Sequence, residues 1–229
     1  MASRYALYYS PETGSPLATF GASWLGRSID GQLVIPPPLK RISEATWATA
    51  TAAPRRYGFH ATVKPPFSLA SNVTERDLFD AVEAFCRNTP AVPLGSLTLK
   101  TLSGFLALLP GNNDRIGGFA GECVRTFDRF RAPLTKEEIT RRRPEELTDR
   151  QKILLCQWGY PYVMEEYRFH MTLTGKLPGA ETELFIEELE RRFASLREQS
   201  ISIESLCIFR QQTPESDFIV TDRYTLNGR

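Results

Sequence analysis

Residues 57–64 read YGFHATVK, and residues 167–175 read YRFHMTLTG. Aligned on their histidines, Tyr57, Phe59, His60 and Thr62 match Tyr167, Phe169, His170 and Thr172, with Val63 opposite Leu173. The chain holds 2 histidines, so both stand in one repeated phrase, Y-x-F-H-x-T-aliphatic. Such self-similarity points to a duplicated architecture.

The surroundings of each copy repeat as well. After the first, Thr74 with Asp77 opens a helix that sets Leu78, Val82, Phe85 and Cys86 on one face, and two β-like runs follow, SLTLKTL and GFLALLP. After the second, residues 182–198 form a helix with Phe185, Leu189, Phe193 and Leu196 on one face, and the runs SISIESLCIF and DFIVTDRYTL follow. Each half thus reads histidine strand, helix, strand, strand.

Between them, from about 116 to 159, lies a helical section. Its first helix buries Ile116, Phe119, Ala120, Val124, Phe127 and Phe130. Its second opens at the capping box of Thr135 and Glu138 and runs into Arg141-Arg142-Arg143 before Pro144. Its third carries Leu147, Ile153, Leu154 and Trp158 and stops at Gly159. At the start, RYALYY reads as a strand, and a helix follows with Ser15 as cap, Pro16 at its first position, Leu17, Phe20 and Trp24 on one face, and Gly26 at its end. Residues 28–56 carry no clear period, and VIPPPL imposes an extended or loop path.

The pattern predicts an α+β fold: one bilobed domain over 1–229, with antiparallel sheets, helices packed outside and a central cleft. Its parts are an N-terminal lobe over 1–112, a central helical segment over 113–162 inserted between the halves, and a C-terminal lobe over 163–229. Composition fits a soluble globular chain. Cys86, Cys123, Cys156 and Cys207 stand singly, as small core residues of a reduced cytoplasmic protein. The first residues lack the basic and apolar regions of a signal peptide, and no apolar run is long enough to span a bilayer, so no membrane partner is expected. A net charge of +1 disfavours a long nucleic acid.

Strand alternation places His60 and Thr62 on one face with Gly58 and Lys64, and His170 and Thr172 on one face with Arg168 and Thr174. The opposite faces, Tyr57, Phe59, Ala61 and Val63 in one copy and Tyr167, Phe169, Met171 and Leu173 in the other, are apolar and suit the core. A lone strand histidine is most often structural. Two that use every imidazole in the chain and share an aromatic frame suit a lined cavity. Imidazole serves as either base or acid near neutrality. Threonine hydroxyls and the cations Lys64 and Arg168 can hold phosphate oxygens. No metal-ligand spacing, P-loop, dinucleotide fingerprint or G-x-S-x-G is present, so no cofactor or metal is expected.

His60-Ala61-Thr62-Val63 and His170-Met171-Thr172-Leu173, in duplicated α+β lobes, resemble the motifs of the two-histidine phosphoesterase superfamily, which includes RNA 2′,3′-cyclic phosphodiesterases and RNA 2′-5′ ligases. RYALYYSPETGSPLATFGASWLG, RRYGFHATVKPPFSLA, FDRFRAPLT, WGYPYV and YRFHMTLTGKL are similar to a bacterial branch of it assigned to phosphonate metabolism. The resemblance implies His60 and His170 as catalytic, with Thr62 and Thr172 on phosphate. The roles of Lys64, Arg168 and Thr174 rest on alternation. The expectation is a metal-independent hydrolase of a small cyclic phosphate. The alternatives are a non-catalytic binding protein for a phosphorylated metabolite, or an RNA-end phosphodiesterase or ligase.

Overall fold

In the computed structural model, which describes residues 3–36, 38–111 and 114–228, local signals set most element ends. The strand β1 (Arg4–Tyr9) is followed by α1 (Pro16–Leu25), where the Ser15 hydroxyl accepts from the Ala18 N–H and Gly26 closes the helix at φ 70°. Next comes α2 (Glu44–Arg55), in the stretch without a clear period, started by Ser43. The chain continues through β2 (Ala61–Ser68), α3 (Glu75–Arg87), β3 (Val92–Gly95), β4 (Leu97–Leu102) and β5 (Phe105–Pro110). Then follow α4 (Asp114–Phe127), α5 (Lys136–Arg141), α6 (Asp149–Trp158), β6 (Met171–Lys176), α7 (Gly179–Phe193), β7 (Ile201–Ile203), β8 (Ser205–Gln211) and β9 (Phe218–Thr225). Capping boxes start α3, α5 and α6. Pro37 of VIPPPL and the expected lobe boundary at 112/113 lie outside the described residues.

The fold is α+β, with a seven-stranded antiparallel sheet ordered β4-β5-β6-β2-β1-β8-β9 and a small pair, β3-β7. Exchanging β6 with β2, β5 with β1 and β4 with β8 maps that order onto itself, with β9 as an added edge strand. The duplication therefore has a different phase from the expected one. One repeat runs from β1 to β4 and the other from β5 to β8. The helices between β5 and β6 are no insertion between halves; they occupy the place that α1 and α2 occupy between β1 and β2. The terminal strands are exchanged: β4 of the first repeat pairs with β5 of the second, and β8 of the second pairs with β1 of the first.

One face of the sheet is covered by helices. Leu17, Phe20 and Trp24 of α1, Leu78 and Val82 of α3, Phe119 and Phe127 of α4 and Phe185, Leu189 and Phe193 of α7 pack on Leu7, Ala61, Val63, Leu108, Met171, Leu173 and Ile208 of the strands. The indole of Trp24 donates to the Leu173 carbonyl at 2.8 Å, fixing α1 on β6. Gly21 lets α1 lie on the Phe59 ring; a Cβ there would fall 2.0 Å from ring carbons. On the other face Ala6, Tyr8, Cys207, Phe209 and Phe218 form a second, smaller buried cluster with Ile29, Tyr57 and Val220 packed against it, and a cavity opens beside it.

Among the described residues no helix is long and apolar enough to cross a membrane. Cys86, Cys123 and Cys207 are buried and Cys156 is exposed.

Candidate active site

The two motif strands touch at the pair Ala61↔Met171. Continuing that antiparallel register by one residue each way sets His60 opposite Thr172 and Thr62 opposite His170. The four side chains form a block on the open face, two from each repeat, about the local symmetry axis.

Both histidines immediately precede their strands, and each is held the same way. The Nδ1 of His60 lies 2.9 Å from the Gly58 carbonyl, and that of His170 lies 2.8 Å from the Arg168 carbonyl. A carbonyl only accepts, so each Nδ1 carries the proton and each neutral ring presents a bare Nε2. The turn that aims the first carbonyl passes through Gly58 at φ 71°. The Thr62 hydroxyl lies 3.3 Å from His60 Nε2 and can donate to it.

His60 is stacked on Tyr8 with ring centroids 3.9 Å apart. Burial lowers its pKa to about 4, against the opposing pull of the Gly58 carbonyl, and neighbouring His170 lowers it further. Burial also lowers the pKa of His170, with the Arg168 carbonyl opposing. Both imidazoles are thus neutral in the free protein at pH 7, and a bound phosphate anion would raise both pKa values.

The block opens into a cavity of about 570 Å³. Tyr8, His60, Thr62, Thr172 and Thr174 form its floor; Arg4, Arg56, Arg141, Arg142, Lys176 and Glu138 bring charge to its walls. His170 is not itself among the lining residues; it stands beside the cavity, its ring 5.7 Å from that of Phe105, which lines it.

Three expectations of the sequence are corrected. Lys64 does not face the cavity. Tyr8 pairs with Thr62 but Leu7 pairs with Lys64, so the register slips at a bulge and Lys64 turns to the helix-covered face. There its ammonium lies 3.4 Å from both an Asp128 carboxylate oxygen and the Val124 carbonyl, and burial lowers its pKa to about 8. Arg168 precedes β6 and its side chain is exposed, outside the cavity lining; its carbonyl, not its guanidinium, meets the site. Tyr57 lines the cavity and packs on the smaller core cluster instead of the helix-covered one, stacking on Phe218 at 5.2 Å, because residues 57–60 are a turn and not strand. Thr174 does line the cavity, yet its hydroxyl accepts from the Leu106 N–H at 3.0 Å where the β5–β6 register shifts, so it also serves the ladder.

Replacing Lys64 with Met is accordingly expected to lower stability and leave substrate KM unchanged. Asp128 keeps Arg131 at 2.8 Å, so the loss should fall below the about 3–5 kcal/mol of an orphaned buried charge. A raised KM with an unchanged denaturation midpoint would contradict this placement.

The motifs give no sign of Arg4, Tyr8, Tyr160 and Lys176, whereas Arg55-Arg56 and Arg141-Arg142-Arg143 stand out in sequence as local basic clusters, the second readable as a solvated helix face or as an anion grip. Their common signal is three-dimensional, since they come from β1, the end of α2, α5, the segment before β6, and β6. Among the described residues, no group of three or more His, Cys, Asp or Glu is placed to hold a metal ion.

A family model described as "Protein of unknown function (DUF1045)" matches residues 62–219. Two curated relatives are both named "Ribose 1,5-bisphosphate phosphokinase PhnN". That of Janthinobacterium sp. (strain Marseille) is 39% identical over 236 residues, covering 99% of this chain and 51% of the relative. That of Laribacter hongkongensis (strain HLHK9) is 32% identical over 207 residues, covering 90% of this chain and 48% of the relative. The chain thus spans about half the length of these relatives. Among solved structures, TT0787 of Thermus thermophilus aligns over 99% of both chains with a TM-score of 0.45 and 12% identity.

Proposed function

We propose that this chain, which belongs to the DUF1045 family, hydrolyses a small cyclic phosphodiester by paired-histidine acid–base chemistry that needs no metal. The observation that carries the reading is the matched pair of imidazoles. Each has its Nδ1 tied to a carbonyl and a bare Nε2, and each is paired across the strands with a threonine on a cation-lined face.

Water attacks phosphorus, and one Nε2 takes its proton. The ring P–O bond breaks, and the other imidazole, protonated beforehand, gives its proton to the departing sugar oxygen. His60, the more desolvated and neutral ring, suits the base; His170, at the cavity edge, suits the acid. Thr62 and Thr172 donate to the non-bridging oxygens, where negative charge is held during the displacement.

The relatives' name describes a kinase acting on a ribose phosphate. This chain contains no G-x-x-x-x-G-K-[ST], so the phosphokinase part of that name finds no P-loop here. The ribose phosphate part fits the cavity, as does the resemblance to the phosphonate-metabolism branch. The substrate class is a ribose carrying a cyclic phosphate, either a nucleoside 2′,3′-cyclic phosphate or a phosphorylated sugar.

A turnover screen of small cyclic phosphates, with phosphorus NMR of the products, tests the reading. One phosphomonoester regioisomer is expected, because fixed acid and base positions dictate which oxygen leaves, and turnover should survive exhaustive chelation. The profile of kcat/KM against pH should be a bell on the acid side of neutrality. It rises as His60, with a pKa of about 4, loses its proton and falls as His170, whose pKa burial holds below the ordinary imidazole value, loses its own. Mixed regioisomers, or tight binding without turnover, would sink the mechanism.

A further inference from the structure

Hydrolysis of one phosphodiester uses the block of two histidines and two threonines and leaves the cavity's arginines without a task. Arg4 is half-buried, and its guanidinium is held by a neutral acceptor, the Gln211 side-chain oxygen, at 2.8 Å and 2.5 Å. It makes no ion pair, and neither do Arg141 and Arg142, among the described residues. The Arg142 guanidinium is fixed over the Tyr160 ring at 4.6 Å. The one carboxylate on the lining, Glu138, accepts from the Thr135 N–H at 2.8 Å in its own helix cap. Arg56 differs, since it has Asp217 at 3.7 Å and donates to the Pro214, Glu215 and Ser216 carbonyls.

Guanidinium groups gathered at one wall, Arg4 and Arg142 half-buried and Arg141 exposed, repel until an anion joins them, and Glu138 offsets this only in part. Burial lowers the pKa of Arg4 and the nearby Arg141 adds to this, while Tyr57, Tyr8 and Glu138 oppose it. The cluster lies on the His60 side of the cavity. Tyr8, stacked on His60, and Phe218, 6.2 Å from Tyr8, separate it from the imidazole, and the Arg4 guanidinium lies 5.6 Å over the Phe218 ring. An anion there is a different group from the one reacting at the histidines.

A nucleobase is the other moiety this region could receive, but each tyrosine already has a ring partner. Tyr8 stacks on His60, Tyr57 on Phe218, and Tyr160 lies under Arg142. The cations, not the aromatic faces, are left over.

On the reading of the histidine block given above, we propose that Arg4, Arg141 and Arg142 form a second anion subsite for a terminal phosphomonoester of the same substrate. The substrate is then a small sugar bearing a cyclic phosphate at one end and a phosphate dianion at the other. A nucleoside 2′,3′-cyclic phosphate without a terminal phosphate is a poor substitute. Arginine suits the role because its planar fork meets a phosphate with two parallel hydrogen bonds.

The test compares kcat/KM for a ribose cyclic phosphate with and without a 5-phosphate, in the wild type, Arg4→Gln and the double variant Arg141→Gln, Arg142→Gln. The wild type should favour the 5-phosphorylated compound roughly a hundredfold, and each variant should reduce that ratio by roughly tenfold or more. A wild-type ratio near one, or a ratio the variants leave unchanged, overturns the subsite. Calorimetric binding of ribose 5-phosphate, which has no cyclic bond to cleave, separates the two hypotheses. If no cyclic phosphate is hydrolysed yet ribose 5-phosphate binds the wild type and not the variants, the subsite stands and the hydrolase reading falls. If the wild type does not bind ribose 5-phosphate, the subsite falls whatever the hydrolytic result.

Discussion

Replacing either His60 or His170 with alanine is expected to lower turnover of the cyclic phosphate by about a hundred- to ten-thousandfold. Each imidazole performs one proton transfer, and the chain has no third that could stand in. The double variant should be little worse than the worse single one, because base and acid act in the same step. Stability should change modestly. His170 is partly exposed, and truncating His60 removes a stacked contact with Tyr8, of about 0.5–1.5 kcal/mol for an aromatic pair. An aryl phosphodiester, whose leaving group needs no protonation, should restore part of the rate in the His170 variant and none in the His60 variant. Rescue of both or of neither contradicts the assigned roles, and full turnover in either single variant removes the paired mechanism altogether.

Thr62→Val and Thr172→Val come next in size. A lost hydrogen bond to a charged acceptor costs about 1.5–3 kcal/mol, so each change should slow turnover roughly ten- to more than a hundredfold. The two should differ in one respect. Thr62 also lies 3.3 Å from His60 Nε2, so its loss should move the acidic limb of the pH profile, whereas Thr172→Val should lower the rate at every pH alike. Equal displacement of both profiles would mean that the Thr62–His60 contact has no bearing on the base.

The elements legible in the sequence are those whose ends are chemically marked. Ser15-Pro16 with Gly26, Thr74 with Asp77, and Thr135 with Glu138 each satisfy orphan backbone groups and locate their helices. The helix α2 escapes such a reading although its buried residues, Trp47, Ala50, Thr51 and Pro54, fall at i, i+3, i+4 and i+7. The period is there, but threonine and proline hide it from hydropathy. SISIESLCIF reads as one strand, yet Glu204 divides it into β7 and β8, which belong to different sheets. Ile153, expected in the core, is 52% exposed, and Leu155 takes its place inside.

The histidines and threonines are legible because the repeat states them twice. Lys64 is misplaced by strict alternation, which holds only while the register does, and a bulge leaves no mark in composition. Arg4 escapes notice, and the run Arg141-Arg142-Arg143 stands out without a settled role, because the arginines converge from elements far apart in the chain.

The exchange of strands between repeats has a consequence for synthesis. Arg4 pairs with Gln211, 207 residues later in the chain. Until residues 205–211 leave the ribosome, β1 exposes one backbone edge beside side chains that will later be buried. The first repeat likewise cannot pair β4 before β5 is made. The sheet is therefore completed only once β8 is made, and a product truncated before β8 would keep both histidines yet leave the strand beneath His60 unsupported.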